Sequence, residues 1–386
     1  MLVSTDVKLF DGTIEPEAHT EAKIDNGIWT TTAKSPDHSI SQLISGAERY
    51  KNDWHIEGLW EPNTLFLVHS LEGEFKSIFA YQVGEALATG QPLLRKWAVP
   101  TPRRVGVLQT EMPDNMVGKR LKAMYPDGRI PSNLIVSSEA LKIAIQRKYS
   151  APDKFQVIHN WLVGKDLEVL LWDTVTSVLS ACGNPNTEEA TAQFYSRLEA
   201  LPLKGALVVR HDGKPSRDSE GRQGNQKVRG SNLHAEIASV IIQMHRPDRR
   251  SNKAQLDIGK LRHDTVPEPL DCWFDAGTMR LTLLPPPVVL LEGGPLTREV
   301  LNRELLERFK LKERSADELI RQLEDEGFLL GETRGHERVW SLNPKAVPKP
   351  ESPAAIWLPL VDIEPPEKIA EEPTHPHEIC DLKTAA

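Results

Sequence analysis

The chain is 386 residues long, which leaves room for two to three domains at roughly 100–200 residues each. With 39% hydrophobic and 26% charged residues it can bury a sizeable core, which excludes a wholly disordered or fibrous chain. Lys and Arg total 47 against 55 Asp and Glu, a net charge of −8, which excludes a globally basic nucleic-acid coat and confines any polyanion contact to a local patch.

Residues 1–39 are polar and mixed and read as a loosely ordered lead-in. Over 40–284 short β-rich apolar runs, at 64–69, 105–110, 134–137, 167–173 and 206–210, alternate with helix-period segments at 77–89, 115–124, 140–149 and 187–201. That alternation predicts an α/β domain with a mostly parallel sheet, in which ligands bind at the carboxyl ends of the strands. Pro285-Pro286-Pro287 marks a boundary that opens a second domain, 285–343, in which 290–343 read as helix, helix, hairpin. Thr297 is expected to cap a first helix through Leu301, and Leu305, Leu306 and Phe309 give a second apolar face. Ser315 with Glu318 has capping-box spacing and is expected to open a third helix that Gly327 ends. Arms at 328–330 and 339–342 then flank a turn around Arg334-Gly335-His336, the pattern of a small α+β winged-helix domain. The Pro/Glu-rich stretch 344–386 reads as a disordered tail.

The sharpest local feature is Ser70-Leu71-Glu72-Gly73-Glu74-Phe75-Lys76-Ser77, which follows a strand and opens a helix as a P-loop does. A turn there aims backbone N–H groups and a helix N-terminus at phosphate, with Lys76 for the β/γ-phosphates and Ser77 for Mg²⁺. The GxxxxGK[ST] pattern wants glycine at Ser70 and Phe75, and both are replaced. Further strand ends carry Gln109-Thr110-Glu111-Met112, Asp173-Thr174 and His211-Asp212-Gly213-Lys214. A carboxylate at Asp173 is placed to hold magnesium through water.

With SLEGEFKS, QTEM, LLWDT, VVRHDGK, Arg229-Gly230-Ser231 and Lys260-Leu261-Arg262 in that order, the chain resembles the RecA-fold ATPases of the plasmid and phage RepA-like hexameric helicase group over about 40–283. Phe75 fits an aromatic variant tolerated there, whereas Ser70 departs from the pattern. The resemblance implies ATP and Mg²⁺ as cofactors, a ring of identical subunits as in the hexameric helicases, single-stranded DNA as partner, and replication or recombination proteins nearby. It implies that Glu111 polarises the attacking water, that His211 senses the γ-phosphate, and that Lys260 and Arg262 reach a neighbour's nucleotide, with Arg229 the competing arginine finger. It also implies that Lys214, Arg217, Arg222 and Lys227 line a channel for single-stranded DNA.

Each assignment has a plainer alternative. Glu111 is then a surface acid, Asp173 a helix cap, His211 a structural histidine, 213–229 a solvated loop without stacking aromatics, and 260–262 an exposed edge. The acidic third helix of the C-terminal segment, with Asp317, Glu318, Glu324, Asp325 and Glu326 against Arg321, would repel DNA phosphate, but Lys310, Lys312, Arg314, Arg334 and Arg338 flank it, so DNA contact through the wing and a protein-docking or ring-stabilising role both stay open. Cys182, Cys272 and Cys380 are too far apart for a disulfide framework or a CxxC site and point to a reducing, cytoplasmic setting. His375, His377 and Cys380 lack a supporting fold for a metal. No stretch reads as a signal peptide or membrane span, so no membrane partner is expected. Two further readings stay open: an inactive P-loop scaffold, and a winged-helix regulator with an ATPase sensor domain.

Overall fold

The computed structural model describes residues 22–25, 28–31, 53–147, 150–212, 233–262 and 264–345. A hairpin of β1 (Ala22–Asp25) and β2 (Ile28–Thr31) comes first. Then follow β3 (Thr64–Ser70), α1 (Lys76–Thr89), β4 (Val105–Gln109), α2 (Asp114–Met124), β5 (Leu134–Val136), α3 (Glu139–Gln146) and α4 (Ala151–Gly164). Next come β6 (Val169–Asp173), α5 (Thr176–Leu179), α6 (Glu188–Glu199), β7 (Gly205–His211), α7 (Leu233–Ile237), β8 (Val240–His245), β9 (Lys253–Leu261), β10 (Leu270–Asp275) and β11 (Arg280–Thr282). The chain continues through α8 (Pro286–Leu291), β12 (Leu296–Thr297), α9 (Arg298–Phe309), α10 (Glu313–Asp325), β13 (Leu329–Arg334) and β14 (Glu337–Leu342).

A nine-stranded sheet runs β11-β10-β9-β8-β3-β7-β6-β4-β5. The six strands from β8 to β5 are parallel and the three at the other edge antiparallel. This is the mostly parallel α/β plan expected of a RecA-like P-loop core. Parallel strands covered on both faces must be apolar at every position. In β3, Phe66 and Val68 enter the core on one face, Leu65 and Leu67 the core on the other. Full burial of one such side chain contributes ~1.5–3 kcal/mol. Helix α1 is buried on nearly every side: it packs on β3, β4, β6 and β7 and also reaches β11 at the edge of the same sheet, where Gln82 exchanges two hydrogen bonds with the Leu281 backbone (2.7 and 3.0 Å). Gly84 permits the close approach, since a Cβ there would lie 3.1 Å from both Leu134 and Leu171.

Residues 286–342 form a further core around Leu301, Leu305, Phe309, Ile320, Leu323 and Trp340, onto which Trp273 and Leu284 also pack. Its elements follow the order helix, strand, helix, helix, strand, strand, with a three-stranded sheet β12-β14-β13.

Several sequence expectations change. The helix expected over 140–149 stops at Gln146, and α4, not expected at all, starts at Ala151. The Ser150 hydroxyl accepts from Asp153 N and Pro152 lies in the first turn, a strong helix start that separates the two. Thr297 caps a helix as expected, accepting from Val300 N, but Leu301, Leu305 and Phe309 all belong to that one helix, α9. Ser315 does not open the third helix: α10 begins at Glu313, after Lys310 has turned the chain with φ 55°. The rest of the lead-in 1–39, the tail from 346, and His375, His377 and Cys380 lie outside the described residues.

Candidate nucleotide site

Residues 71–75 link the carboxyl end of β3 to the N-terminus of α1. No side chain caps that helix, so its first N–H groups face the loop, the arrangement that binds anions. Gly73 has φ 81° and Phe75 φ 68°. Phe75 therefore adopts the left-handed conformation that the missing glycine would have taken without cost. Glu72 is exposed, whereas Glu74 is buried, accepting from Arg246 N and lying 3.4 Å from Arg249 Nη2.

Lys76 is buried, and its ammonium donates to Ser70 O (3.0 Å), Ser70 Oγ (2.9 Å) and Leu71 O (2.6 Å). Those three acceptors match its three donors. Burial pushes its pKa down, opposed by the nearby Asp212, Asp173, Glu74 and Glu111 carboxylates. Ser70, the other non-glycine, thus supplies a hydroxyl that orients the lysine.

The other expected residues converge from neighbouring strand ends. Asp173, at the end of β6, is buried, and its Oδ2 accepts from Gln109 Nε2 (2.8 Å). Burial raises its pKa, outweighing the support that Ser77 and Gln109 give its charged form. The peptide joining it to Thr174 is cis. Glu111 follows β4: its Oε1 accepts from Thr174 Oγ1 (2.5 Å) and lies 3.5 Å from His211 Nε2, at the end of β7. The His211 hydrogen bond pulls the Glu111 pKa down against partial burial, helped by Thr174 and Lys76. Glu111 is half exposed, which leaves one side open to water. Ser70, Lys76, Ser77, Glu111, Asp173 and His211 are therefore gathered at one end of four adjacent parallel strands.

Lys260 and Arg262 are not part of this cluster. They do share one side of β9 and its end, as two-residue spacing requires. Both bond the carboxyl end of α7: Lys260 to Ala235 O (2.8 Å) and Glu236 O (3.0 Å), Arg262 to Glu236 O (3.4 Å). Leu261 pairs with Val240, which pairs with Phe66, so this end of the sheet is four strand residues before Ser70. At ~3.3 Å per residue that is ~13 Å from the loop. Lys214, Arg217, Arg222, Lys227 and Arg229 lie outside the described residues.

Three features had no assignment from sequence. Gln109 is buried and bridges the site, bonding Asp173 with its amide nitrogen and accepting from the backbone N of Glu111 and Met112 with its oxygen. His69 and Asp212 form a buried pair (Nδ1–Oδ1 2.6 Å) behind the lysine, and Asp212 N donates to Ser70 O (2.8 Å). Arg246 and Arg249 reach the loop from beyond β8. The QTEM and HDG motifs contained Gln109 and Asp212, but only strand register brings their side chains to the site.

The residues present fit a magnesium-bound nucleotide. A buried lysine, open helix N–H groups and the Ser77 hydroxyl beside the buried Asp173 carboxylate provide the donors and ligands that phosphate and a hard cation need. Among the described residues no three His, Cys, Asp or Glu side chains form a metal cluster.

Residues 31–217, a span just short of half the chain, match the family model described as an AAA domain. No curated protein matches the chain. Among solved structures, a KaiC-like protein of Pyrococcus horikoshii is similar at 14% identity, covering 60% of this chain and 94% of its own, with a TM-score of 0.40. The flagellar accessory protein FlaH of Methanocaldococcus jannaschii is similar at 11% identity (55% and 86% covered, TM-score 0.38). The RadB recombinase is similar at 12% identity (58% and 92% covered, TM-score 0.38).

Proposed function

We propose that this chain is a magnesium-dependent ATPase of RecA type. The observation that carries the reading is the convergence of Lys76, Ser77–Asp173 and Glu111–His211 on one loop. Lys76 and the α1 N–H groups would hold the phosphates, and Ser77 with Asp173 would hold the ion, which neutralises charge developing on the transferred phosphoryl group. Glu111, kept ionised by His211 and Thr174 and open to solvent, is suited to orient and deprotonate an attacking water. His211, touching that carboxylate, would register whether the terminal phosphate is present.

The finer reading is a ring-forming helicase or translocase acting on single-stranded DNA, in which Arg262, with Lys260, completes a neighbour's site. Its support is that both lie about a strand length from their own loop, too far to serve it. The helix, strand, helix, helix, strand, strand order of 286–342 suits a winged helix, and its acidic α10 favours a protein partner over DNA phosphate. The experiment is ATP turnover with and without single-stranded DNA, beside sedimentation with a non-hydrolysable ATP analogue. DNA-stimulated turnover by an oligomer supports the motor. Turnover without oligomerisation or stimulation leaves the ATPase and removes the ring.

A second reading is a scaffold that has kept the fold without turnover. Ser70, Phe75 and the fully engaged Lys76 ammonium favour it. Absence of MgADP and MgATP binding in a titration would establish it.

A further inference from the structure

We infer that Arg246, just past the end of β8, is a positioning residue of the phosphate loop that holds it in shape where glycine is missing; the inference rests on the nucleotide-site reading. A bulky residue at φ 68° is disfavoured because its Cβ crowds the backbone, and it persists only where its surroundings over-determine it. The Phe75 ring is stacked on Phe274 of β10, with centroids 4.4 Å apart and planes at 26°. The Arg246 guanidinium lies 4.5 Å from the same ring centroid. Both groups pack directly on the ring and hold it from β10 and from the end of β8.

Arg246 also holds the two preceding loop residues. Its Nη1 donates to Gly73 O (3.1 Å), and its backbone N–H donates to the buried Glu74 carboxylate. The other guanidinium nitrogen, Nη2, donates to Arg249 O (2.6 Å) and Ser251 O (2.7 Å), which fixes the plane of the fork against the β8–β9 turn. One residue thus engages Gly73, Glu74 and Phe75 in succession. A lysine could keep the charge over the ring but could not also span Gly73 O and the turn carbonyls. In a loop with glycine at this position the left-handed conformation needs no such clamp. Arg246 therefore acts through Phe75, and its effect on nucleotide affinity should depend on Phe75 being there.

The test is MgADP binding to the full chain by titration calorimetry, for wild type, Arg246→Ala, Arg246→Lys, Phe75→Gly and the Phe75→Gly/Arg246→Ala double variant, with thermal melting of each. Expected are a loss of about tenfold or more for Arg246→Ala, a smaller loss for Arg246→Lys, and a loss under about threefold when Arg246→Ala is made on Phe75→Gly. Equal losses in both backgrounds would mean that Arg246 touches the ligand itself, and no loss in either that it only braces its own turn; both overturn the inference. Hydrogen exchange of the loop amides 71–76 without ligand separates this from the nucleotide reading. If wild type binds no MgADP, that reading fails, yet the clamp still predicts about tenfold faster loop exchange in Arg246→Ala, and unchanged exchange contradicts it.

Discussion

Gln109 Nε2 donates to Asp173 Oδ2 across 2.8 Å, and the oxygen of the same amide accepts from Glu111 N at 2.8 Å. One buried side chain therefore fixes the acid proposed for the metal and the turn that carries the acid proposed for water. Gln109→Leu keeps the bulk and removes both bonds. An unsatisfied buried group costs ~1–3 kcal/mol, so a lower melting temperature is expected. The larger effect should be on turnover, with kcat down about 10–100-fold from misplacement of both carboxylates. Steady-state ATP hydrolysis beside a thermal melt checks this, and an unchanged kcat would remove Gln109 from the site.

Ser70 stands where a P-loop has glycine, and its hydroxyl accepts one of the three hydrogen bonds that the Lys76 ammonium donates. Before Lys76 can turn to phosphate, one or more of those bonds must break. Ser70→Ala deletes an acceptor worth ~1 kcal/mol in the ligand-free state and should tighten MgADP binding by up to about fivefold. A titration showing weaker binding instead would mean that the hydroxyl contacts the nucleotide.

His55 is fully buried, donates from Nε2 to Lys204 O (2.8 Å), and has a buried Nδ1 without a partner. Burial lowers its pKa from 6.5 to about 4, against the Lys204 bond. The unfolded chain then takes up a proton below pH 6.5 that the folded chain refuses until about 4. Its contribution to stability is complete above that range and is lost as pH falls through it, by up to about 3 kcal/mol. Urea unfolding at pH 7 and pH 5 should show a smaller drop for His55→Gln than for wild type. Equal drops would mean that other groups set the acid sensitivity.

Arg308 of α9 donates through Nε to Asp275 Oδ1 (3.0 Å) and through Nη2 to Oδ2, at the end of β10. Burial pushes the Asp275 pKa up, and the Arg308 bonds more than offset it, leaving it below the usual range. Arg308→Ala strands a buried carboxylate that keeps only the Gly277 and Thr278 donors. The loss should be about 2 kcal/mol, below the usual cost of breaking a buried pair because the arginine is partly exposed. Denaturant unfolding measures it, and a change under ~0.5 kcal/mol would show that the ion pair adds little to the apolar packing and to the Ala276 and Asn252 bonds to Arg308 O that also join α9 to the sheet.

What could be read from sequence was what depends on neighbouring residues. The apolar runs located five strands, four of which carry the candidate site, and the Ser70–Ser77 spacing marked its loop. Ser150-Ala151-Pro152 is an equally local start signal for α4, yet the helical periods read from sequence end at 149 and resume only at 187. Ser315 misled for the opposite reason, because capping-box spacing also occurs inside a helix whose start is fixed elsewhere, here by Lys310. Gln109, the His69–Asp212 pair and the Arg246 contacts were not legible. Each joins residues 64 to 173 positions apart, and only strand register decides which side chains meet. Phe75 shows both sides: the motif marks it as a glycine position, but nothing nearby in sequence indicates that Phe274 and Arg246 hold it.

The most direct measurement compares wild type with Glu111→Gln for MgATP binding and for single-turnover hydrolysis. The substitution keeps the shape and an acceptor for Thr174 but removes the base. Binding within about threefold of wild type, with hydrolysis slowed about 100-fold or more, is the result expected of a general base. Hydrolysis at the wild-type rate in Glu111→Gln would contradict it, and the strand-end cluster would then not be the catalytic centre.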